Sequence, residues 1–287
     1  MTKNPLEKAV ESAVRANHYL GSQFAKMGNA EHPNGVIVSA YRVANRAMAK
    51  ALEEDNQLLA AREVLRNLRS QVSTGINEIF RDAEAYGIEE AVRQLSFYDV
   101  TISTSTPPPG QSYQQASTSV LAQFDAEVAA IESYIIAGLD PVLITGDQNR
   151  SGLLTAGKIL ADTAFWATTL LWASFFGSAD RYGGADQYDK QAVAVLDMRT
   201  TDCCLQVHGQ VKPYSKPFHL TGTPRFADDI DWSPFHWRCR TSIVLYSSRY
   251  DDGVTDRMRA GAKYVLDQRA NGKQFDQHPA DAFVPGI

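Results

Sequence analysis

A chain of 287 residues, 44% hydrophobic and 21% charged, is long enough to bury a sizeable core as one large domain or two modest ones. Its net charge of −5 offers no whole-chain attraction for nucleic acid, and three cysteines are too few, and odd in number, to staple a secreted scaffold, so a reducing compartment is expected. Glu7 and Glu11 stand where an export signal needs an apolar run, and the most apolar window, Phe165 to Phe176, is short of a bilayer span, so no stable membrane span is expected.

In chain order, residues 5 to 27 read as a first helix. Pro5 suits a first helical turn, and Leu6, Val10, Val14 and Phe24 recur at near-helical spacing. Gly28-Asn29 and His32-Pro33-Asn34-Gly35 end it. Residues 36 to 72 continue as one long helical pattern, with a weak point at Asp55-Asn56. Ser73-Thr74-Gly75 reads as punctuation before a third helix over 76 to 95, which Gly87 is expected to interrupt. Short connections between these helices imply an antiparallel layer.

The texture changes after residue 97. The stretch 98 to 119 is rich in Ser, Thr, Gln and Pro, and Pro107-Pro108-Pro109 is stiff and extended, which predicts an arm or linker. Helical spacing resumes over 118 to 137 and again over 153 to 176. Phe165, Trp166, Trp172, Phe175 and Phe176 are too dense for a one-sided stripe, so that helix is read as buried all round. Beyond Gly177 the chain turns polar, and strands are expected at 191 to 196, 205 to 212 and 240 to 246, then a helix at 252 to 270. The expected class is α+β: a mainly helical N-terminal region followed by a small mixed α/β C-terminal module with short strands. The expected division is 1–97 helical, 98–119 arm, 120–250 module, and 251–287 C-terminal helix and tail.

The chemistry concentrates between Leu196 and Tyr246. This stretch holds all three cysteines, Cys203, Cys204 and Cys239, beside His208, His219 and His236. Cys203 or Cys204 with His208, and His236 with Cys239, form two ligand pairs joined by a loop, and that Cys/His composition is what a tetrahedral zinc site uses. The competing reading makes the cysteines small buried residues and His236 a histidine bonded to backbone. Asp197 and Arg199 are read as an ion pair fixing a turn, with Asp202, Arg238 and Arg240 as further partners. The acidic run Asp228, Asp229 and Asp231 could hold a hard cation, but without calcium-loop spacing it reads as a solvated loop. No phosphate-binding glycine loop, nucleophile elbow or HExxH motif is present.

Two ordered segments carry a resemblance. Asp197-Met198-Arg199-Thr200 with Cys204 and Gly209, followed by Pro234-Phe235-His236-Trp237-Arg238-Cys239-Arg240, resembles the signature of the phage Mu F-like minor head protein family, the head morphogenesis proteins of tailed phages. Asp197, Arg199, Thr200, Cys204 and Gly209 match its first part, and Pro234, His236, Cys239 and Arg240 match its second. The family's final cysteine is Thr241 here, and the proline that often follows the histidine is Trp237. The resemblance covers about residues 120 to 247 and makes residues 120–250 a head-morphogenesis-like module. It implies a virion structural component rather than an enzyme, associated with portal and capsid proteins at the head interior or head-tail vertex and aiding assembly, DNA packaging or delivery. Packaged DNA is a further implied neighbour.

Two other classes are weighed. A metal-dependent nuclease or phosphotransfer enzyme would use His208 or His236 as base or ligand and Asp197 as ligand, with Arg199, Arg238 and Arg240 offsetting phosphate charge. A nucleic-acid-binding module would use Arg238, Arg240 and Arg249 with Arg257, Arg259 and Lys263, but Asp251, Asp252, Asp256 and Asp267 interleave with them and weaken the field.

Overall fold

The structure is a computed structural model that describes residues 4–28, 35–100, 112–146, 152–182, 187–237, 239–272 and 283. Pro107 to Gly110 and Arg238 lie outside the described residues. In chain order come α1 (Pro5–Gly28), α2 (Val36–Ala51), α3 (Gln57–Phe97), α4 (Ser112–Ile136), α5 (Val142–Thr145) and α6 (Gly157–Arg181). The mixed part follows with β1 (Asp189–Ala194), α7 (Asp202–Val207), β2 (Val211–Lys212), β3 (Phe218–His219), β4 (Asp229–Ile230), β5 (Thr241–Tyr246) and α8 (Val254–Ala270). This is the expected α+β class, a large helical region followed by a small mixed module.

The chain divides into two compact units, one from Met1–Gly21, Ala83–Pro109 and Thr168–Ile287, the other from Ser22–Asp82 and Gly110–Ala167. The second unit is helical. Ile37, Ala40, Tyr41, Ala44 and Met48 form the buried face of α2, and Tyr41 meets Phe124 of α4 edge-on at 6.4 Å. Gly75 sits inside α3 without breaking it, because a Cβ there would only approach Ile37 Cγ1 at 3.3 Å. The expected punctuation at Ser73-Thr74-Gly75 is therefore absent, and the real break lies between Ala51 and Gln57, around the weak point at Asp55-Asn56. The start of α4 at Ser112, earlier than the expected 118, has a packing cause. Ala116, Val120 and Phe124 bury one face of the helix, and that burial overrides the indifferent helix propensity of its Ser, Gln and Thr residues.

The first unit is built on a three-stranded antiparallel sheet in the order β2-β1-β5. β1 pairs with β5 from Asp189 opposite Tyr246 to Ala194 opposite Thr241, and every residue of β5 is buried. The free edge of β5 is tied to the helical region: Gln94 Oε1 of α3 accepts the Leu245 N–H at 3.0 Å, Tyr98 just after α3 donates its hydroxyl to the Leu245 carbonyl at 2.6 Å, and Ser242 of β5 donates its own hydroxyl to Ala13 O of α1 at 2.7 Å. An edge strand is thus satisfied without a fourth strand. Gly87 also leaves α3 unbroken. It lets α3 approach α6 so closely that a Cβ at this position would lie 2.1 Å from the Leu171 carbonyl oxygen, so the glycine serves packing and not interruption.

α6 is long and apolar enough to cross a bilayer by length and composition, yet 56% of its most apolar window is buried within the protein. Trp172 and Phe175, both fully buried, pack edge-on at 5.4 Å, so the second half of the aromatic run is core, while Phe165 and Trp166 are only half-buried and the expected all-round burial does not extend to them. The strand expected over 205 to 212 is instead the end of a helix, a turn and a two-residue strand. α7 takes Asp202 to Val207 and only Val211-Lys212 pairs with β1. The cause is tertiary, because Leu205 of α7 is buried with Leu196 and with Ala262 and Val265 of α8.

Candidate metal centre

Cys203 and Cys204 lie in the first turn of α7, while His236 and Cys239 lie in the loop that enters β5. The fold brings these two segments together. One ligand atom from each of Cys203, Cys204 and His236 falls within 4.8 Å of the others, all three residues are buried, and the group could hold a metal ion. Cys204 Sγ stands 3.0 Å from His236 Nε2 and 3.8 Å from Cys239 Sγ. With zinc–sulfur bonds of about 2.3 Å, two thiolates of a tetrahedral site sit about 3.8 Å apart. The Cys204–Cys239 spacing already has that value.

The imidazole is oriented by a backbone group. His236 Nδ1 lies 2.7 Å from the Trp237 carbonyl, which can only accept, so Nδ1 carries the proton and donates it. Nε2 is left with its lone pair facing the thiols, the arrangement by which a metal-binding histidine is commonly held. Thr201 Oγ1, 2.9 Å from Nε2 and 3.3 Å from Cys203 Sγ, borders the same space. Ser233 donates to Cys239 Sγ at 3.7 Å. Thr201 and Ser233 carry no sequence signal beyond their nearness to cysteines.

The three thiols do not share charge evenly. The hydrogen bond from Cys204 brings the Cys203 thiol down to about 6 against the opposing effect of burial. Burial would push Cys239 up, but the hydrogen bond from Cys204, the field of His236 and the backbone N–H groups of Phe235 and Thr241 hold it well below the usual thiol range. The contacts of Cys204 with Cys203 and Cys239, together with its burial, hold its thiol well above that range. The sulfurs of Cys203 and Cys204 and the imidazole of His236 therefore face one small space, a soft donor set that suits a thiophilic divalent cation.

The remaining signature residues form a second, adjoining tie. Asp197 receives a bidentate fork from Arg240, with Nη1 to Oδ2 at 2.5 Å and Nη2 to Oδ1 at 2.6 Å. Its Oδ1 also accepts the N–H groups of Arg199 at 2.8 Å and Thr200 at 2.9 Å. Thr200 donates its hydroxyl to Val195 O at 2.6 Å, and Arg269 of α8 donates to the Asp197 carbonyl at 2.7 Å. Burial alone would raise the Asp197 carboxyl, but Arg240 and the two N–H groups outweigh it and hold it below the usual carboxylate range.

Arg240 is thus the main partner of Asp197, and the expected Arg199 contact is a 3.9 Å approach from a side chain 79% exposed. Gly209 has a φ of 75°, which its position in the turn before β2 requires. Pro234 is buried and follows Ser233 through a cis peptide bond.

His208 is not brought into the cluster. Its Nδ1 accepts the Ala194 N–H at 2.8 Å, which ties the end of α7 to β1. Of the acidic run, Asp229 faces His219 Nδ1 at 3.0 Å, while Asp228 and Asp231 contribute backbone carbonyls, Asp231 O accepting from Lys190 Nζ at 2.6 Å. Among the described residues, Cys203, Cys204 and His236 are the group with metal-binding geometry. No family model, no curated protein and no solved structure matches the chain.

Proposed function

We propose that Cys203, Cys204, His236 and Cys239 hold one zinc ion in a closed structural centre, and that the chain is a structural head-morphogenesis protein of a tailed phage, a minor component associated with portal and inner capsid. The grouping of both α7 thiols with His236, with Cys239 Sγ 3.8 Å from Cys204 Sγ and the imidazole aimed by the Trp237 carbonyl, supports the metal reading. Four soft ligands fill a tetrahedral shell, and a filled shell supplies folding energy and not a reactive water. Zinc, when bound, would neutralise the thiolates and join α7 to the loop before β5. The head-component reading is supported by the ordered signature from Asp197 to Arg240.

Metal analysis of the purified chain tests the first part: one equivalent of zinc is expected, falling to near zero in Cys204→Ser, and a wild-type content near zero would refute the centre. Co-sedimentation with portal and capsid proteins, followed by localisation inside assembled particles, tests the second.

A second reading, a metal-dependent nuclease or phosphotransfer enzyme, is favoured by one observation. Cys203, Cys204 and His236 form a three-ligand group by themselves, and with Cys239 left out the fourth position would be open to water. Asp197 and His208, which that enzyme would also use, are engaged by Arg240 and by the Ala194 N–H. Turnover of a phosphodiester by zinc-loaded protein, abolished by chelation and by His236→Ala, would establish this enzyme. Full zinc loading without turnover leaves the structural centre.

A further inference from the structure

We propose that Cys204 and Cys239 are a redox modification site, closing to a reversible disulfide when a hydroperoxide oxidises them. The two sulfurs stand 3.8 Å apart and belong to segments 35 residues apart in sequence, the first turn of α7 and the loop that enters β5. Both thiols are free. A disulfide sets its sulfurs about 2.05 Å apart, so closing this gap takes under about 2 Å of sulfur movement, which side-chain rotation can supply. The bond would join the same two segments that zinc joins in the metal reading.

The surroundings select this pair and give its members different roles. Cys203 and Cys204 are neighbours in α7, and a bond between them would close a small ring through their shared peptide, which helical backbone with a planar trans peptide does not accommodate. Cys203 Sγ is engaged by Thr201 Oγ1 at 3.3 Å. Cys203 and Cys204 are fully buried, whereas Cys239 is partly exposed. Cys239 is therefore the sulfur that an oxidant reaches first, and the Ser233 hydroxyl that donates to it at 3.7 Å favours its ionised form. Cys204, dry and adjacent, is placed to resolve the oxidised sulfur.

The chemistry balances in two steps. The Cys239 sulfur attacks one peroxide oxygen, the O–O bond breaks, and the other oxygen leaves as water with the thiol proton, so that Cys239 becomes a sulfenic acid. The Cys204 sulfur then attacks the Cys239 sulfur and the sulfenic S–O bond breaks. His236 Nε2, 3.0 Å from Cys204 Sγ, takes the thiol proton and passes it to the departing hydroxide, which leaves as a second water. Two thiols have together given two electrons to the peroxide. Neither sulfur is then a thiolate ligand, so a bound zinc ion would lose two of its four donors and be released. That release rests on the metal reading above; the disulfide itself does not.

Hydrogen peroxide treatment of the full chain, both as purified and after stripping with a chelator, tests the site, read by intact mass, non-reducing peptide mapping and a colorimetric zinc assay. Stripped chain should lose two hydrogen atoms, yield a cross-linked peptide joining Cys204 to Cys239, leave Cys203 open to alkylation, and return to the starting mass with dithiothreitol. Zinc-loaded chain should cross-link more slowly and release its zinc as the bond forms. Cys203→Ser should still cross-link, and Cys204→Ser should stop at a sulfenic acid that dimedone labels on Cys239. Sulfinic or sulfonic acid on Cys239 of stripped wild type without a cross-link would overturn the proposal. So would a cross-link through Cys203 or between two chains, or no reaction at all. A chain purified without zinc that still forms the Cys204–Cys239 bond would overturn the metal reading and uphold this one.

Discussion

In the helical unit formed by 22–82 and 110–167, segments far apart in sequence are joined by apolar faces and by ion pairs laid over the surface. In the sheet-containing unit, buried polar and thiol groups are added to the apolar core as ties between such segments. Arg69 and Asp125 make a bidentate pair at 2.6 and 2.8 Å, as do Arg240 and Asp197, but the side chains of the first pair are 45% and 47% exposed and that of Asp197 only 9%. The same fork is worth little where water competes for both ends. It matters where one end is dry and also holds two backbone N–H groups. Helices with good apolar faces need only burial, whereas short strands and long loops need explicit ties.

Removing the cluster should therefore sharpen the contrast most. Structural zinc in small peptides contributes about 10 kcal/mol or more, and even a third of that lowers the melting temperature of a chain this size by roughly 10 °C. A thermal melt with and without chelator checks this, and Cys204→Ser should melt as the chelated wild type does and gain nothing from added zinc.

Next comes Asp197→Ala, which strands the Arg240 guanidinium and two N–H groups and should cost about 3 kcal/mol in denaturant unfolding. Its sign with pH follows from the depressed carboxyl. The stabilisation is complete above the unfolded carboxylate value of about 3.9 and is lost as pH falls through the lower folded value. Melts between pH 2 and 6 should show a steeper acid loss for the wild type than for Asp197→Asn.

A smaller effect is expected from Gly87→Ala. The new methyl meets the Leu171 carbonyl, and α3 and α6 must separate at a cost of about 2 kcal/mol, partly offset by the better helix propensity of alanine. Gly75→Ala, whose nearest neighbour is the Ile37 side chain at 3.3 Å and not backbone, is the matched control and should cost less than Gly87→Ala. At the bottom of the range, Arg69→Ala should change stability by less than about 1 kcal/mol and lose even that at high salt. An Arg69→Ala effect as large as that of Asp197→Ala would break the comparison between the two units.

Much of this was written in local pattern. The helical spacing from Pro5 onward, the buried second half of the aromatic run in α6 and the β-branched run Thr241 to Tyr246 each reflect a period that one element imposes on its own residues. The concentration of Cys203, Cys204, His236 and Cys239 in one stretch was equally legible as a candidate ligand set. Glycine was read less well. Gly75 and Gly87 have the composition of breaks, and only the neighbour each one faces shows that both are continuous helix.

The sequence by itself determined the fold class, most helices and the inventory of soft ligands, because these depend on residue type and short-range spacing. Tertiary structure alone decided which ligands meet. His208 and His236 are the same side chain beside similar neighbours, yet one is drawn to the Ala194 N–H and the other to Cys204. Likewise Arg240, 43 residues away, takes Asp197 from the adjacent Arg199. Those choices turn on directions in space between segments some 32 to 43 residues apart, set by how β1, α7 and β5 pack, and no local period encodes them.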